Sequence, residues 1–290
     1  MADYRIFTDS TTDLPAALAD ELELSVLPLS FTVNGKTYHN YLDGREMTAR
    51  AFYDHIRAGA MPTTSQINPD TFVEAFTPVL KAGEDVLYLA FSSGLSGTCQ
   101  SAKIAAEQLR EEFPDRKIVV IDTLCASLGE GLFAYYCAKK KQAGASFDEL
   151  AAWAEENKLH LCHWFTVNDL HHLKRGGRVS AAAAVFGTML NIKPVLHVDN
   201  AGHLIPVSKV RGRRQSIDAL LHKMEELVTN PEEQVIFISH SDCFDEAEGL
   251  GEAIRKKLHV KDVVINDIGP VIGSHTGCGT IALFFMGKER

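Results

Sequence analysis

Short runs of β-branched and apolar residues alternate with stretches whose apolar positions recur at helical spacing. Residues 4–7, 24–29, 86–90 and 118–121 read as strands, and 71–80, 101–113 and 128–141 as helices. Apolar strand runs separated by helices predict a parallel sheet covered by helices. After an Ala- and Glu-rich helical stretch at 147–157 the pattern changes. Strands are expected at 161–167, 193–198, 203–208, 234–239, 263–267 and 281–286, with helices at 213–227 and 246–258. Asp199, Asn200, Ala201 and Gly202 separate two of those strands and are turn formers, which predicts a hairpin. The expected fold class is α/β with two domains: an N-terminal parallel-sheet α/β/α domain over residues 1–160 and a C-terminal α+β domain over 161–290. A length of 290 residues exceeds one ordinary core and fits that division.

Composition narrows the function classes. Hydrophobic residues make up 46% and charged residues 23%, the balance of a folded globular chain. The net charge of -9 offers no general attraction to phosphate backbones, and aromatics do not interleave with basic clusters, so nucleic acid is not an expected partner. No stretch approaches the roughly 20 apolar residues of a membrane span, and the start lacks a basic and then apolar leader. A cytoplasmic protein is expected, with at most transient membrane contact. Six scattered cysteines (Cys99, Cys125, Cys137, Cys162, Cys243, Cys278) form no C-x-x-C pair and read as reduced, mostly buried thiols, with no metal site.

Five segments carry candidate chemistry. The first strand runs into Thr8-Asp9-Ser10-Thr11-Thr12-Asp13, whose residue types suit helix capping as well as a ligand at the carboxyl edge of a parallel sheet. Residues 92–98, Ser-Ser-Gly-Leu-Ser-Gly-Thr, follow another strand and open a helix. Their hydroxyls and backbone N–H groups suit a carboxylate or phosphate. Residues 62–66 add further hydroxyls and by themselves read as a cap or turn. The nucleophile elbow G-x-S-x-G fails at Ser96, because Thr98 replaces the last glycine, and neither dinucleotide nor P-loop motifs occur. His275 stands in a glycine-dense stretch at 269–280. Lys174, Arg175 and Arg178 form a compact basic turn, and 209–214 is a second basic cluster; either fits an anionic ligand, an acidic partner or plain solvent.

Together these segments resemble the DegV family of bacterial fatty acid-binding proteins. The matching pieces are TDSTTDLP at 8–15, TTSQ at 63–66, SSGLSGT at 92–98, LKRGGRVS at 173–180 and GSHTGCGT at 273–280, in the family's order. Cys278 departs from the proline that relatives often carry there. The resemblance implies a DegV-like fold with the ligand at the junction between the domains. It implies a long-chain fatty acid in a buried tunnel, presented to a fatty acid kinase for acyl phosphate formation. On this reading Thr64, Ser96 and His275 meet the carboxylate and Arg211 adds charge. Ser10, Thr11, Ser93, Thr98 and Thr276 are candidate supports of the ligand loops, and Lys174, Arg175 and Arg178 candidate kinase contacts. No cofactor is expected beyond the bound acid, and the chain is expected to be a carrier and not an enzyme. Two other readings remain open: a serine hydrolase using Ser96 and His275, and a small polyol- or sugar-binding protein.

Overall fold

The computed structural model describes residues 3–168, 170–180 and 191–290. The first half builds a parallel sheet ordered β2-β1-β6-β7, from β1 (Tyr4–Asp9), β2 (Ser25–Leu27), β6 (Asp85–Ala90) and β7 (Ile118–Asp122). Both faces are buried, because successive side chains point to opposite sides. Tyr4, Ile6, Leu87 and Leu89 enter one core; Phe7, Val86, Tyr88 and Ala90 enter another.

Helices α3 (Pro69–Lys81) and α4 (Thr98–Glu112) cover the second core. Asn68 caps α3 by accepting from the Thr71 N–H, and Pro69 occupies its first turn, where no amide partner is lost. Helices α5 (Leu128–Gln142) and α6 (Phe147–Asn157) cover the other face. The first turns of α5 are buried around the whole helix, including Gly129, Glu130 and Gly131, because it lies between two sheets.

The second of those sheets belongs to the C-terminal half. Its order is β10-β9-β8-β13-β11-β12, formed by β8 (Leu161–Thr166), β9 (Ile192–Val198), β10 (Leu204–Arg211), β11 (Val235–His240), β12 (Asp262–Asp267) and β13 (Ile281–Met286). Every neighbouring pair is antiparallel except β11 with β12. Period-2 alternation again divides the side chains. Phe165, Phe237, Ala282 and Phe284 face α5, whereas Trp164, Ile236, Ile238, Leu283 and Phe285 face α8 (Arg213–Leu227) and α9 (Phe244–Leu258). The Asp199–Gly202 turn is present as expected. Asp199 Oδ1 accepts from the Ala201 and His203 amides, and Gly202 takes φ +78°.

Four local expectations are corrected. The single strand expected at 24–29 divides: β2 ends at Leu27, Pro28 supplies no ladder N–H, and the chain re-enters a different, antiparallel sheet as β3 (Ser30–Val33). That sheet, β4-β3-β5, includes β4 (Lys36–His39) and β5 (Thr63–Ser65), so the segment read as a cap or turn at 62–66 is a three-residue edge strand. The glycine-dense stretch around His275 contains a short helix, α10 (Pro270–Thr276), with Pro270 in its first turn and Gly277 at φ +71° beyond its end. Lys174 and Arg175 close a helix, α7 (His171–Arg175), and only Gly176–Gly177 form the turn. All six cysteines are free thiols, four of them buried.

Candidate functional site

A cavity of about 980 Å³, counting its open mouth, lies where the parallel sheet's loops meet the inner face of the C-terminal sheet. Its walls are assembled from both halves: Phe91, Leu95 and Ser127 from loops after β6 and β7, Phe165, Val198, Leu204 and Phe284 from the C-terminal sheet, and Val271 from α10. Buried Phe165, Leu173, Val198, Ala282 and Phe284 are apolar, whereas Thr64, Gln66, Ser96, Arg178 and His275 are only partly covered or exposed. The buried lining is thus mostly apolar, with His163, Ser127, Thr276 and Thr280 as its buried polar members, and the partly covered Thr64, Ser96, Arg178 and His275 are polar.

The polar rim is built by contacts between segments remote in sequence. Thr64 stands on β5 opposite Phe31, and its Oγ1 lies 2.8 Å from His275 Nε2. A Cβ on Gly97 would collide with the Gln66 amide, whose nitrogen donates to Ser101 Oγ at 3.1 Å. The strand carrying Thr64 is thereby pinned to the start of α4. Ser96, on the loop before α4, lies 2.9 Å from Thr98 Oγ1 and accepts from the Thr98 N–H.

His275 is neutral: burial first, and then the charges of Arg178 and Arg175, push its pKa down to about 4. Its Nδ1 is buried with no hydrogen-bond partner among the described residues and faces Gly176, where a Cβ would collide with it. Nδ1 is thus sealed and Nε2 is committed to Thr64. No bond links Ser96 to His275 among the described residues, which is the contact a Ser–His nucleophile requires.

Other candidate residues are distributed differently from expectation. Arg178, expected among surface contacts, is half-buried in the cavity wall and donates to the Leu95 and Gly176 carbonyls. Burial lowers its pKa from the usual value. Arg211, expected at the carboxylate, is exposed and does not line the cavity. It lies seven residues along β10 from the lining residue Leu204, a separation of roughly 23 Å at about 3.3 Å per residue. Lys174 and Arg175 are exposed, and Arg175 donates to the Ser274 carbonyl beside His275. Ser93 is exposed away from the lining, Thr98 is buried behind Ser96, and Thr276 lines the cavity.

Ser10 and Thr11 do not reach the cavity; they are fully buried in the scaffold. Ser10 Oγ accepts from the Leu29 N–H. Thr11 Oγ1 lies 2.5 Å from Asp9 Oδ1 and 2.8 Å from Glu130 Oε2, and Thr8 Oγ1 lies 3.1 Å from Glu130 Oε1. Burial raises both carboxyl pKa values, and the Asp9 charge pushes Glu130 further up. Asp9 also accepts from Tyr88 Oη and the Thr11 and Phe91 amides, which favours its ionised form, so Glu130 holds the proton. Asp13 accepts from Ser127 at 2.6 Å and from the Gly269 N–H, and burial pushes it up to about 8. These buried carboxyls tie β1 and the loop after it to α5 and α10.

The fold and cavity define a two-domain α/β protein with a chamber between its sheets, mostly apolar within, with hydroxyls and Arg178 among its partly covered lining residues. The sequence matches the DegV family, described as an uncharacterised protein family, over residues 3–288, and the chain belongs to it. It is 50% identical over 290 residues to a DegV domain-containing protein of Clostridium perfringens, covering 100% of this chain and 99% of that one. Among solved structures, the fatty acid-binding DegV family protein of Thermus thermophilus is 33% identical and superposes with a TM-score of 0.88, covering 98% of this chain and 99% of that one. DegV of Bacillus subtilis, a fatty acid-binding protein, is 28% identical with a TM-score of 0.87 and 99% and 100% coverage. Among the described residues, no helix is long and apolar enough to cross a membrane.

Proposed function

We propose that this chain binds a long-chain fatty acid, with its tail in the apolar chamber and its carboxylate at the Thr64–Ser96 rim, and presents that carboxylate to a separate fatty acid kinase. The observation that carries this reading is the Thr64–His275 pair, set beside Ser96 at the edge of an apolar cavity. With Nε2–H donating to Thr64 Oγ1, the Thr64 hydroxyl is free to donate to an anion. Ser96 Oγ already accepts from an amide, so its hydroxyl hydrogen can be directed likewise. Arg178 supplies the positive charge beside them, the part expected of Arg211. Hydrogen bonds to a charged group contribute about 1.5–3 kcal/mol each, and each buried methylene about 0.8 kcal/mol, so a long chain outweighs the head group.

The predominance of apolar side chains in the buried lining argues against a polyol or sugar, which needs polar partners along its whole length, more than His163, Ser127, Thr276 and Thr280 supply. The sealed His275 argues against a serine hydrolase. A cytoplasmic kinase using ATP would reach only the carboxylate, giving an acyl phosphate, with Lys174 and Arg175 at the rim available to meet it. The relatives that bind fatty acids support the same ligand class. Native mass spectrometry of the protein as purified tests this reading. A co-purified mass of one long-chain acid per chain is expected, and a sugar mass, or no uptake of added oleate or palmitate, overturns it.

A further inference from the structure

The loop that carries Ser96 is joined to the β9–β10 turn, whose flanking residues also line the chamber, through one buried hydroxyl. Ser92 is fully buried and uses every polar group it has. Its N–H donates to the Cys125 carbonyl, and its own carbonyl accepts from the Leu95 and Ser96 amides. Its Oγ accepts from the Gly94 N–H at 3.2 Å and donates to the Gly202 carbonyl at 2.9 Å. Gly202 belongs to the tight turn between β9 and β10, and the residues flanking that turn, Val198 and Leu204, line the chamber. Leu95, Ser96 and Gly97 line it as well.

The two turns approach too closely for side chains. A Cβ on Gly94 would come within 2.8 Å of the Gly202 carbonyl, and one on Gly202 would collide with Ser92 Oγ. A second group holds the same turn, since Arg290 donates to the carbonyls of Asp199 and Leu124.

We propose that Ser92 is a positioning residue that fastens the head-group loop to the β9–β10 turn, so that the rim and the acyl wall hold their ligand as one unit. The proposal rests on the fatty acid reading for its ligand, but the fastening itself is a property of the free protein. Ser92 touches no ligand atom in this scheme, so its loss acts on chain retention and not on recognition of the carboxylate. Ser96 acts the other way.

The test compares wild type with Ser92→Ala, Gly202→Ala and Ser96→Ala. Hydrogen–deuterium exchange of ligand-free protein is expected to rise in Ser92→Ala and Gly202→Ala at both 93–97 and 199–204, while exchange in the remote helix α9 stays unchanged. Dissociation of palmitate and of the matching fatty alcohol, followed by transfer to albumin, is expected to quicken about fivefold for both ligands in Ser92→Ala, the factor carried by one neutral hydrogen bond. Ser96→Ala is expected to narrow the preference for acid over alcohol instead. Unchanged exchange at both turns in Ser92→Ala overturns the proposal whatever the ligand is, as does exchange rising equally throughout the chain. Wild-type protein that takes up neither ligand overturns the fatty acid reading, whereas wild-type dissociation rates in Ser92→Ala overturn only the coupling.

Discussion

Gly176 lies directly against His275, so that even a methyl group at 176 would collide with the imidazole Nδ1. Its backbone is in the ordinary right-handed helical region, at φ -71°, so alanine there introduces no backbone strain and isolates the contact. Gly176→Ala is expected to displace the ring, disturb its bond to Thr64 and weaken fatty acid binding, at an overpacking cost of about 1–3 kcal/mol. Titration with a fluorescent fatty acid and a thermal melt check both parts.

On the proposed reading, Thr64→Ala and Ser96→Ala each remove one donor to the carboxylate. Binding of a fatty acid is expected to weaken about 10- to 100-fold in each, following the value of a hydrogen bond to a charged group. A fatty alcohol of equal length is expected to lose little. Equal losses for acid and alcohol would mean that these hydroxyls support the fold and not the head group.

The depressed pKa of His275 makes stability depend on pH in a definite direction. The unfolded chain protonates this histidine below its ordinary value of 6.5, while the folded chain resists until about 4. Between those values the unfolded state binds the extra proton, so stability falls as pH falls. Wild type is expected to lose stability relative to His275→Gln from pH 6.5 down to pH 4, and not above it, by up to about 3 kcal/mol. Urea melts of both proteins across that range measure the difference directly, and a constant difference would mean that the buried ring is not held neutral.

The two carboxyls of the buried network are expected to respond unequally. Glu130→Gln keeps a donor and an acceptor toward Thr8 and Thr11 and removes no charge that the protonated acid carried, so a cost below about 1 kcal/mol is expected. Asp9→Asn turns an amide nitrogen toward the donors of Thr11, Tyr88 or Phe91, and a loss of about 1–3 kcal/mol is expected. Chemical denaturation decides between this order and its reverse.

Much of this arrangement is legible in the residues alone. Strands β1, β6 and β7 and helices α3 to α6 follow from apolar periodicity, because each presents whole faces to a core. The segment holding Thr64 escapes that reading, since three polar residues on an edge strand carry no alternation, and their pairing with Phe31 is a tertiary event. The helix under His275 leaves a signal in its Pro270 and Gly277, the usual start and stop, which the density of glycines masks. Arg178 and Arg211 cannot be told apart by composition. Only the close of α7 and the register of β10 send one into the cavity wall and the other roughly 23 Å along a strand. The hydroxyls of Ser10 and Thr11 match a ligand loop in type, and what makes them scaffold is the Leu29 amide for Ser10 and, for Thr11, Glu130, more than a hundred positions away.

The placement of Arg178 also changes how kinase docking is to be tested. Lys174 and Arg175 remain exposed on α7, next to the rim proposed to hold the carboxylate, while Arg178 is part of the wall. If the tail is enclosed, a kinase has to approach over this rim, and charge on it orients the encounter. Lys174→Glu with Arg175→Glu is expected to leave the bound fatty acid in place, lower the rate of acyl phosphate formation at low protein concentration, and recover part of it at high concentration. Rim charges act mainly on association and are screened by salt, so the wild-type rate is expected to fall as ionic strength rises, and the variant's rate to respond less. Arg178→Glu is expected to behave differently, losing the fatty acid itself, because it sets a carboxylate against the head group within the cavity. Phosphorylation assays with the cognate kinase, run beside mass spectrometry of the retained lipid, separate the two. A Lys174/Arg175 variant that sheds its lipid would assign α7 to the chamber, and one phosphorylated at the wild-type rate at low concentration would remove this surface from docking.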